Sequence, residues 1–401
     1  RLIDSNKDIF AGEGLPIMRQ SHRDAQIHFQ PRIRKGAFFE AAWRHGCRTF
    51  SVYNRTYITS YFDDPVAEYW QVINHVALWP VMGERQVEIS GPDAARFVQY
   101  LTPRDLSKFA VGQCKYALIT APDGGILGDP IILRRGADRF WVSTADCDLE
   151  LWARGVQTGT DFDVTIADAN VSVMQVQGPK SPLLLAAAFG GGIADLKYFW
   201  TMTTEFQGAE IVISRTGYSG EFGYEVYLAD ASKGDALFEH LLAAGKPFNV
   251  APGCVSHARR IESAILSWGV DMTADENPFE VGLGRLVDLS GAAPYIGQRA
   301  LRRIAAPPPR RRLVGLTVDG PAIAPNEDVW PVMAGSREVG RLTSLAYSPR
   351  LERNIALAMV PVECAAPGQR LSVDTWDGER GAMVAETPFL AKRQQAAPAS
   401  A

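Results

Sequence analysis

Two stretches of this sequence carry side chains whose types and spacing could do chemistry. The first runs Thr216-Gly217-Tyr218-Ser219-Gly220-Glu221-Phe222-Gly223-Tyr224-Glu225. Its glycines do not match a dinucleotide fingerprint or a P-loop in a strand-then-helix setting. They read either as a turn that needs positive backbone dihedrals or as a place where the backbone approaches a flat ligand. Glu225 stands in an otherwise apolar strand, where a carboxylate is costly unless it is exposed or paired. Strand alternation would turn it to solvent. The functional alternative is that it accepts paired N–H donors from the edge of a heterocycle, and a pterin ring offers such an edge. The second stretch holds Cys254 and His257, a cysteine and a histidine close in sequence. They share the start of an expected helix, so a buried pair is favoured over a nucleophile and its base. Aromatic residues gather near the polar motifs: Trp70, Trp79, Tyr116, Tyr198, Trp200, Tyr218 and Trp268. Core packing is the ordinary explanation. A cage that holds a cationic donor by cation–π attraction is the sharper one.

The elements that must position these groups are partly legible. Alternation over Glu84–Ile89 predicts a half-buried strand, and Gly91-Pro92-Asp93 then opens a helix through Tyr100. Tyr116–Thr120 and Pro130–Leu133 read as strands around a Gly124-Gly125 turn, and Arg139–Ser143 as another. Ala209–Ser214 and Tyr224–Leu228 read as strands flanking the glycine-rich segment. Ala236–Ala244 and Ser256–Trp268 have helical apolar spacing. A proline-rich, then charged stretch over 305–312 reads as a linker. Beyond it, Leu313–Val318, Gly340–Thr343, Ile355–Val360 and Leu371–Thr375 predict a small all-β, barrel-like C-terminal domain. The strands and helices do not alternate as repeating βαβ units, so the expected class is α+β. The expected division is an irregular N-terminal arm over 1–35, an α+β core of two intertwined domains over 36–304, the β domain over 310–390, and a disordered tail over 391–401.

Bulk properties narrow the function classes. A chain of 401 residues calls for two or three domains. Its hydrophobic content of 46%, charged content of 21% and net charge of -4 give no reason to expect nucleic acid as a partner. No apolar run reaches the roughly 18 residues a membrane-spanning helix needs. The chain opens at Arg1 rather than at a methionine, as expected of a trimmed N-terminus. Five cysteines without a CxxC pair read as reduced thiols in a cytoplasm. With no HExxH and no Cys/His cluster, no metal site is expected. The oligomeric state, a homo-oligomer included, is left open.

Six motifs in order resemble the glycine-cleavage T-protein (aminomethyltransferase) superfamily of tetrahydrofolate enzymes. They are Val176-Gln177-Gly178-Pro179, Thr216 to Glu221, Gly223-Tyr224-Glu225, Arg260-Ile261-Glu262, Asn277-Pro278-Phe279-Glu280 and Tyr347-Ser348-Pro349. The resemblance runs from about Phe38 to Leu390. Within that superfamily, Glu84 to Ile89, Leu101 to Leu106, Val111 to Cys114 and Gly253-Cys254 are similar to the dimethylsulfoniopropionate demethylases. The resemblance implies a three-domain cloverleaf around a central folate channel, with tetrahydrofolate as acceptor. Glu225 would then bind the pterin edge, with Tyr218, Arg260, Tyr116 and Trp268 around the folate. Arg260 could instead serve as a structural partner of Glu262. One departure bears on the reaction. Aminomethyltransferases carry an acidic pair after the Gly-Gly turn, the first acid being catalytic, whereas here Gly128 takes that place and only Asp129 remains.

The missing acid suits methyl transfer. Aminomethyl transfer releases ammonia and needs proton traffic. A sulfonium or ammonium donor is already a good leaving group, so the protein's task is mainly to position two reactants. The expected function is therefore demethylation of a small onium donor such as dimethylsulfoniopropionate. A methoxy- or methylenedioxy-aromatic, a betaine or an N-methyl amine is an alternative donor, and a non-catalytic folate-binding factor is a further one. Tyr218, Asp129 and His257 are the candidate catalytic groups, although a structural hydrogen bond would equally explain Asp129. Residues 1–35 are candidates for reshaping the donor pocket.

Overall fold

The computed structural model describes residues 27–390 apart from 145 and 292. Residues 1–26 of the expected arm and the expected tail over 391–401 lie outside the described residues. Two sheets form the body of the molecule. The first is antiparallel, in the order Thr165–Asp168, Arg85–Ser90, Arg139–Thr144, Ile131–Arg134, Cys114–Tyr116. The second has the order Thr201–Phe206, Ala209–Ser214, Gly223–Leu228, Ser172–Gln177, Val76–Pro80, Val250–Pro252, with only the last pairing parallel. The chain passes from Val76–Pro80 in one sheet to Arg85–Ser90 in the other, so residues 81–84 cross between them.

The period of two decides which side chains meet. Phe140 and Val142 pack outward on the helices Ala94–Leu101 and Leu149–Thr158. Tyr224, Val226 and Leu228 pack outward on Ser181–Phe189 and Gly234–Gly245. The alternate residues Cys114, Leu133 and Trp141 of one sheet then meet Val173, Val212 and Tyr227 of the other. Glu225 belongs to this inward set. Every residue of Gly223–Leu228 is buried, so alternation turns Glu225 to the space between two sheets and not to solvent. That corrects the solvent-facing reading of Glu225.

The strand expected over Tyr116–Thr120 is two strands in different sheets, Cys114–Tyr116 and Ile119–Thr120. The helix expected over Ser256–Trp268 is a single stretch, His257–Glu262, capped by the Ser256 hydroxyl. It stops because Ala264 turns left-handed, with φ 51°, and the Ile265 N–H returns to the Arg260 carbonyl at 2.8 Å. The buried partners of Arg259 and Arg260 hold that turn.

The C-terminal strands close a six-stranded barrel around its own core. Two of its strands, Trp330–Ala334 and Gly378–Ala385, escape the sequence reading, and the one expected over Gly340–Thr343 runs Arg337–Ser348. A β-bulge lies between Leu342 and Ser344. The fold is α+β with a closed C-terminal barrel. No helix among the described residues is long and apolar enough to cross a membrane.

Candidate functional site

Where the facing sheets diverge they leave a cavity of about 990 Å³, of a size that takes organic ligands. Its walls come from both sheets, the crossing at 81–84 and the segment 264–286; none of the described residues beyond 286 lines it. The barrel therefore acts on the cavity through other groups.

Cross-strand register builds the Glu225 site. Gln175 and Ser214 stand directly opposite Glu225 on its two neighbouring strands. Gln175 Nε2 donates to Oε1 at 2.9 Å. Oε2 accepts from Thr216 Oγ1 at 2.6 Å, Tyr227 OH at 2.8 Å and Ser214 Oγ at 3.5 Å. Oε1 thus keeps a lone pair for a further donor. Burial raises the Glu225 carboxyl above its ordinary value, and the hydroxyls of Thr216 and Tyr227 oppose the rise.

Part of the glycine-rich segment, Thr216 to Tyr218, lines the cavity, and two of its glycines are required by packing. A side-chain carbon at Gly217 or Gly223 would collide with the Gln177 amide. Gln177 Nε2 donates to the Tyr224 carbonyl at 3.0 Å and its Oε1 accepts from Ser219 Oγ at 2.6 Å. These two glycines make room for a side chain that ties the loop to the sheet, and Gly220, with φ 70°, is the position that needs the left-handed region.

Tyr116, Tyr218, Arg260, Trp268, Asp129 and His257 all line the same cavity. Tyr116 OH donates to Asp129 Oδ2 at 2.9 Å. Burial pushes the Asp129 carboxyl up to about 7, while the Tyr116 bond opposes the rise. Tyr218 OH donates to the Leu266 carbonyl at 2.7 Å, and Trp268 Nε1 to the Ile126 carbonyl at 2.8 Å. Arg260 pairs with Asp271 at 2.7 Å, not with Glu262, and also reaches Ser344 Oγ at 2.7 Å. The Glu262 partner is Arg259, through NH1 and Oε2. The barrel bulge explains how Ser344 arrives there. Thr343 and Ser344 both bond Asp271 Oδ1, at 2.8 and 2.6 Å, because the extra residue turns consecutive hydroxyls to one side.

His257 Nδ1 accepts from Arg260 Nε at 3.2 Å. Burial, then the Arg260 charge, holds its imidazole well below the ordinary value, so it is neutral at pH 7 and no cationic acid. Cys254 faces away from it, toward the Ser60 carbonyl and Glu68, and burial keeps its thiol well above its ordinary value. The two form no dyad. Among the aromatic residues, Trp79, Tyr198 and Trp200 also line the cavity, whereas Trp70 packs edge-on against Tyr69. Tyr53 and Glu84 line it as well; the sequence had not marked Tyr53, and had read Glu84 only as the start of a strand and part of a family motif. Gly128 offers little room for the acid that aminomethyltransferases carry: a Cβ there would lie 2.9 Å from Cys147 Sγ.

Comparison with known proteins agrees with this architecture. The GCVT N-terminal domain family matches residues 32–291, and the glycine cleavage T-protein C-terminal barrel domain family matches 311–390. A dimethylsulfoniopropionate demethylase of Ruegeria pomeroyi is 37% identical over 90% of this chain and 99% of its own length. An aminomethyltransferase of a Synechococcus species is 35% identical over 82% of this chain and 91% of its own. The crystal structure of the glycine cleavage system aminomethyltransferase T of Bartonella henselae superposes with a TM-score of 0.82 at 22% identity, covering 90% of this chain and 99% of that one.

Proposed function

The chain belongs to the glycine-cleavage T-protein family of tetrahydrofolate-dependent one-carbon transferases, and from that premise we propose that it moves an intact methyl group from a small onium donor to N5 of tetrahydrofolate. The observation that carries the choice of methyl over aminomethyl transfer is Gly128. The position holds no acid, and a Cβ there would lie 2.9 Å from Cys147 Sγ, so that thiol would have to shift to admit one.

The residues present fit the acceptor. Glu225 lines the cavity and its Oε1 keeps acceptor capacity to spare, as the N–H edge of a pterin requires. Tyr116, Tyr218 and Trp268 offer ring surface for the rest of it. Arg260, anchored to Asp271 and Ser344, keeps its wall rigid. When bound, tetrahydrofolate supplies the nitrogen lone pair that accepts the methyl. The chain's own part is to hold donor and acceptor in line and to exclude water. In this reading Asp129, which lines the cavity and whose carboxyl is pushed up to about 7 by burial, takes the proton that N5 gives up as the methyl arrives.

The test is anaerobic incubation of the protein with tetrahydrofolate and a panel of donors, followed by mass spectrometry of the folate product. The expected result is 5-methyltetrahydrofolate with dimethylsulfoniopropionate and none with methoxy-aromatics. A methylene product from an aminomethyl donor would overturn the reading.

A further inference from the structure

Among the described residues three carboxylates line the cavity, Glu84, Asp129 and Glu225, and Glu84 is the least compensated of them. Arg260 has Asp271. Asp129 has the Tyr116 hydroxyl, and Glu225 has four donors. Glu84 has a hydrogen bond from Ser143, a like charge, Glu225, as its electrostatic neighbour, and no cation among the described residues. A carboxylate desolvated beside another carboxylate is expensive to ionise unless a cation joins it. Burial first, and Glu225 second, hold its carboxyl well above the ordinary carboxylate range.

The chain fixes this group firmly. Glu84 is the last residue of the crossing between the two sheets; its N–H bonds the Val81 carbonyl at 3.0 Å and the strand Arg85–Ser90 follows at once. Gly83 precedes it, and a Cβ there would sit 2.8 Å from the Tyr53 ring. Glycine at 83 thus lets an aromatic ring lie against the backbone beside Glu84. A carboxylate and an aromatic ring on one cavity wall form a receptor for a cation.

We propose that Glu84 is the counter-charge for the cationic head of the methyl donor, and that with Tyr53 it makes the site select an onium compound over its neutral isostere. This rests on the methyl-donor reading above and names the feature that recognises the donor class. The donor's positive charge offsets the desolvation of Glu84, and its methyl groups face the cavity where the acceptor lies. A neutral donor would leave the carboxyl without a partner.

The experiment is calorimetric titration of the full chain with dimethylsulfoniopropionate and with 4-methylpentanoate, in which a CH replaces the sulfonium. The unmutated protein is expected to prefer the sulfonium. Glu84→Gln keeps size and hydrogen bonding, and should weaken sulfonium binding at least about 30-fold while leaving 4-methylpentanoate within about threefold, as expected when a buried charge pair loses one member. Glu84→Asp retains the charge and should retain the preference. An unchanged urea midpoint and circular dichroism spectrum in both variants show that the fold stands. A Gln variant that still prefers the sulfonium, or an Asp variant that loses the preference as fully as Gln, overturns the proposal. If the unmutated protein shows no preference and the folate product forms only with aromatic donors, the donor reading itself fails and the proposal with it.

Discussion

At the scale of single residues, Asp129 sets a pH dependence. Its carboxyl is pushed up to about 7 by burial, against a hydrogen bond from Tyr116 that favours the ionised form. If Asp129 must be ionised to take up the proton, kcat rises with pH through a midpoint near that value and levels above it. Asp129→Asn should flatten the rise and lower kcat by about 10²-fold, the usual scale of general-base assistance. Tyr116→Phe removes the bond that stabilises the charged form, so the midpoint should move to higher pH. A profile that keeps its midpoint in Asp129→Asn would leave Asp129 with only a structural role. Much of this wall was legible beforehand, because motif residues such as Glu225, Tyr218 and Arg260 keep their spacing. Glu84 was not. It sits where an alternating pattern begins, so it read as the polar half of a strand, whereas the strand starts at Arg85 and Glu84 is the turn that enters the cavity.

At the scale of elements, the short helix His257–Glu262 is held by ions and not by apolar packing alone. Arg259 is fully buried between Glu221, at 3.0 Å, and Glu262. Glu262 also accepts from Tyr69 OH at 2.7 Å and from Ser348 Oγ at 2.5 Å. One guanidinium therefore serves carboxylates from the glycine-rich loop and its own helix, and Glu262 carries the link on to the barrel. Arg259→Met keeps the volume but strands the buried Glu262 and leaves Glu221 only the longer pairing with Arg350 at 3.4 Å, and should cost about 3–5 kcal/mol of stability. Urea unfolding followed by tryptophan fluorescence would measure it, and a loss below about 1 kcal/mol would mean that water or another cation reaches Glu262. Periodicity could not foresee this arrangement. Apolar spacing over 256–268 suggested one long helix, because the residues that end it, Arg259, Arg260 and Glu262, look like a solvated helical face until their partners at 221, 271 and 344 are known. The barrel was legible as a class from its short strands, but its bulge at Thr343 was not, since a bulge answers to the partner strand and to Asp271.

At the scale of the whole molecule, the cavity belongs to the two facing sheets, while the barrel contributes no lining residue among those described. The barrel still touches the site's support: Thr343 and Ser344 bond Asp271, Ser344 also accepts from Arg260, and Ser348 bonds Glu262. A ligand that orders Arg260 and the 264–286 segment should then stabilise a strand it never meets. Binding at about 100 times the dissociation constant adds about 2.7 kcal/mol to the liganded state, and hydrogen exchange can locate where that protection falls. With tetrahydrofolate present, amides of Gly223–Leu228 should gain protection directly, and those of Arg337–Ser348 through the Asp271 clamp. Asp271→Asn keeps the shape but weakens the hold on Arg260 and the two hydroxyls, so protection should persist in Gly223–Leu228 and fade in the barrel strand. Equal loss in both would make Asp271 part of the folate wall itself. If the barrel strand is indifferent to ligand in the unmutated protein, the clamp transmits nothing and the barrel serves only to cover the buried ion pairs.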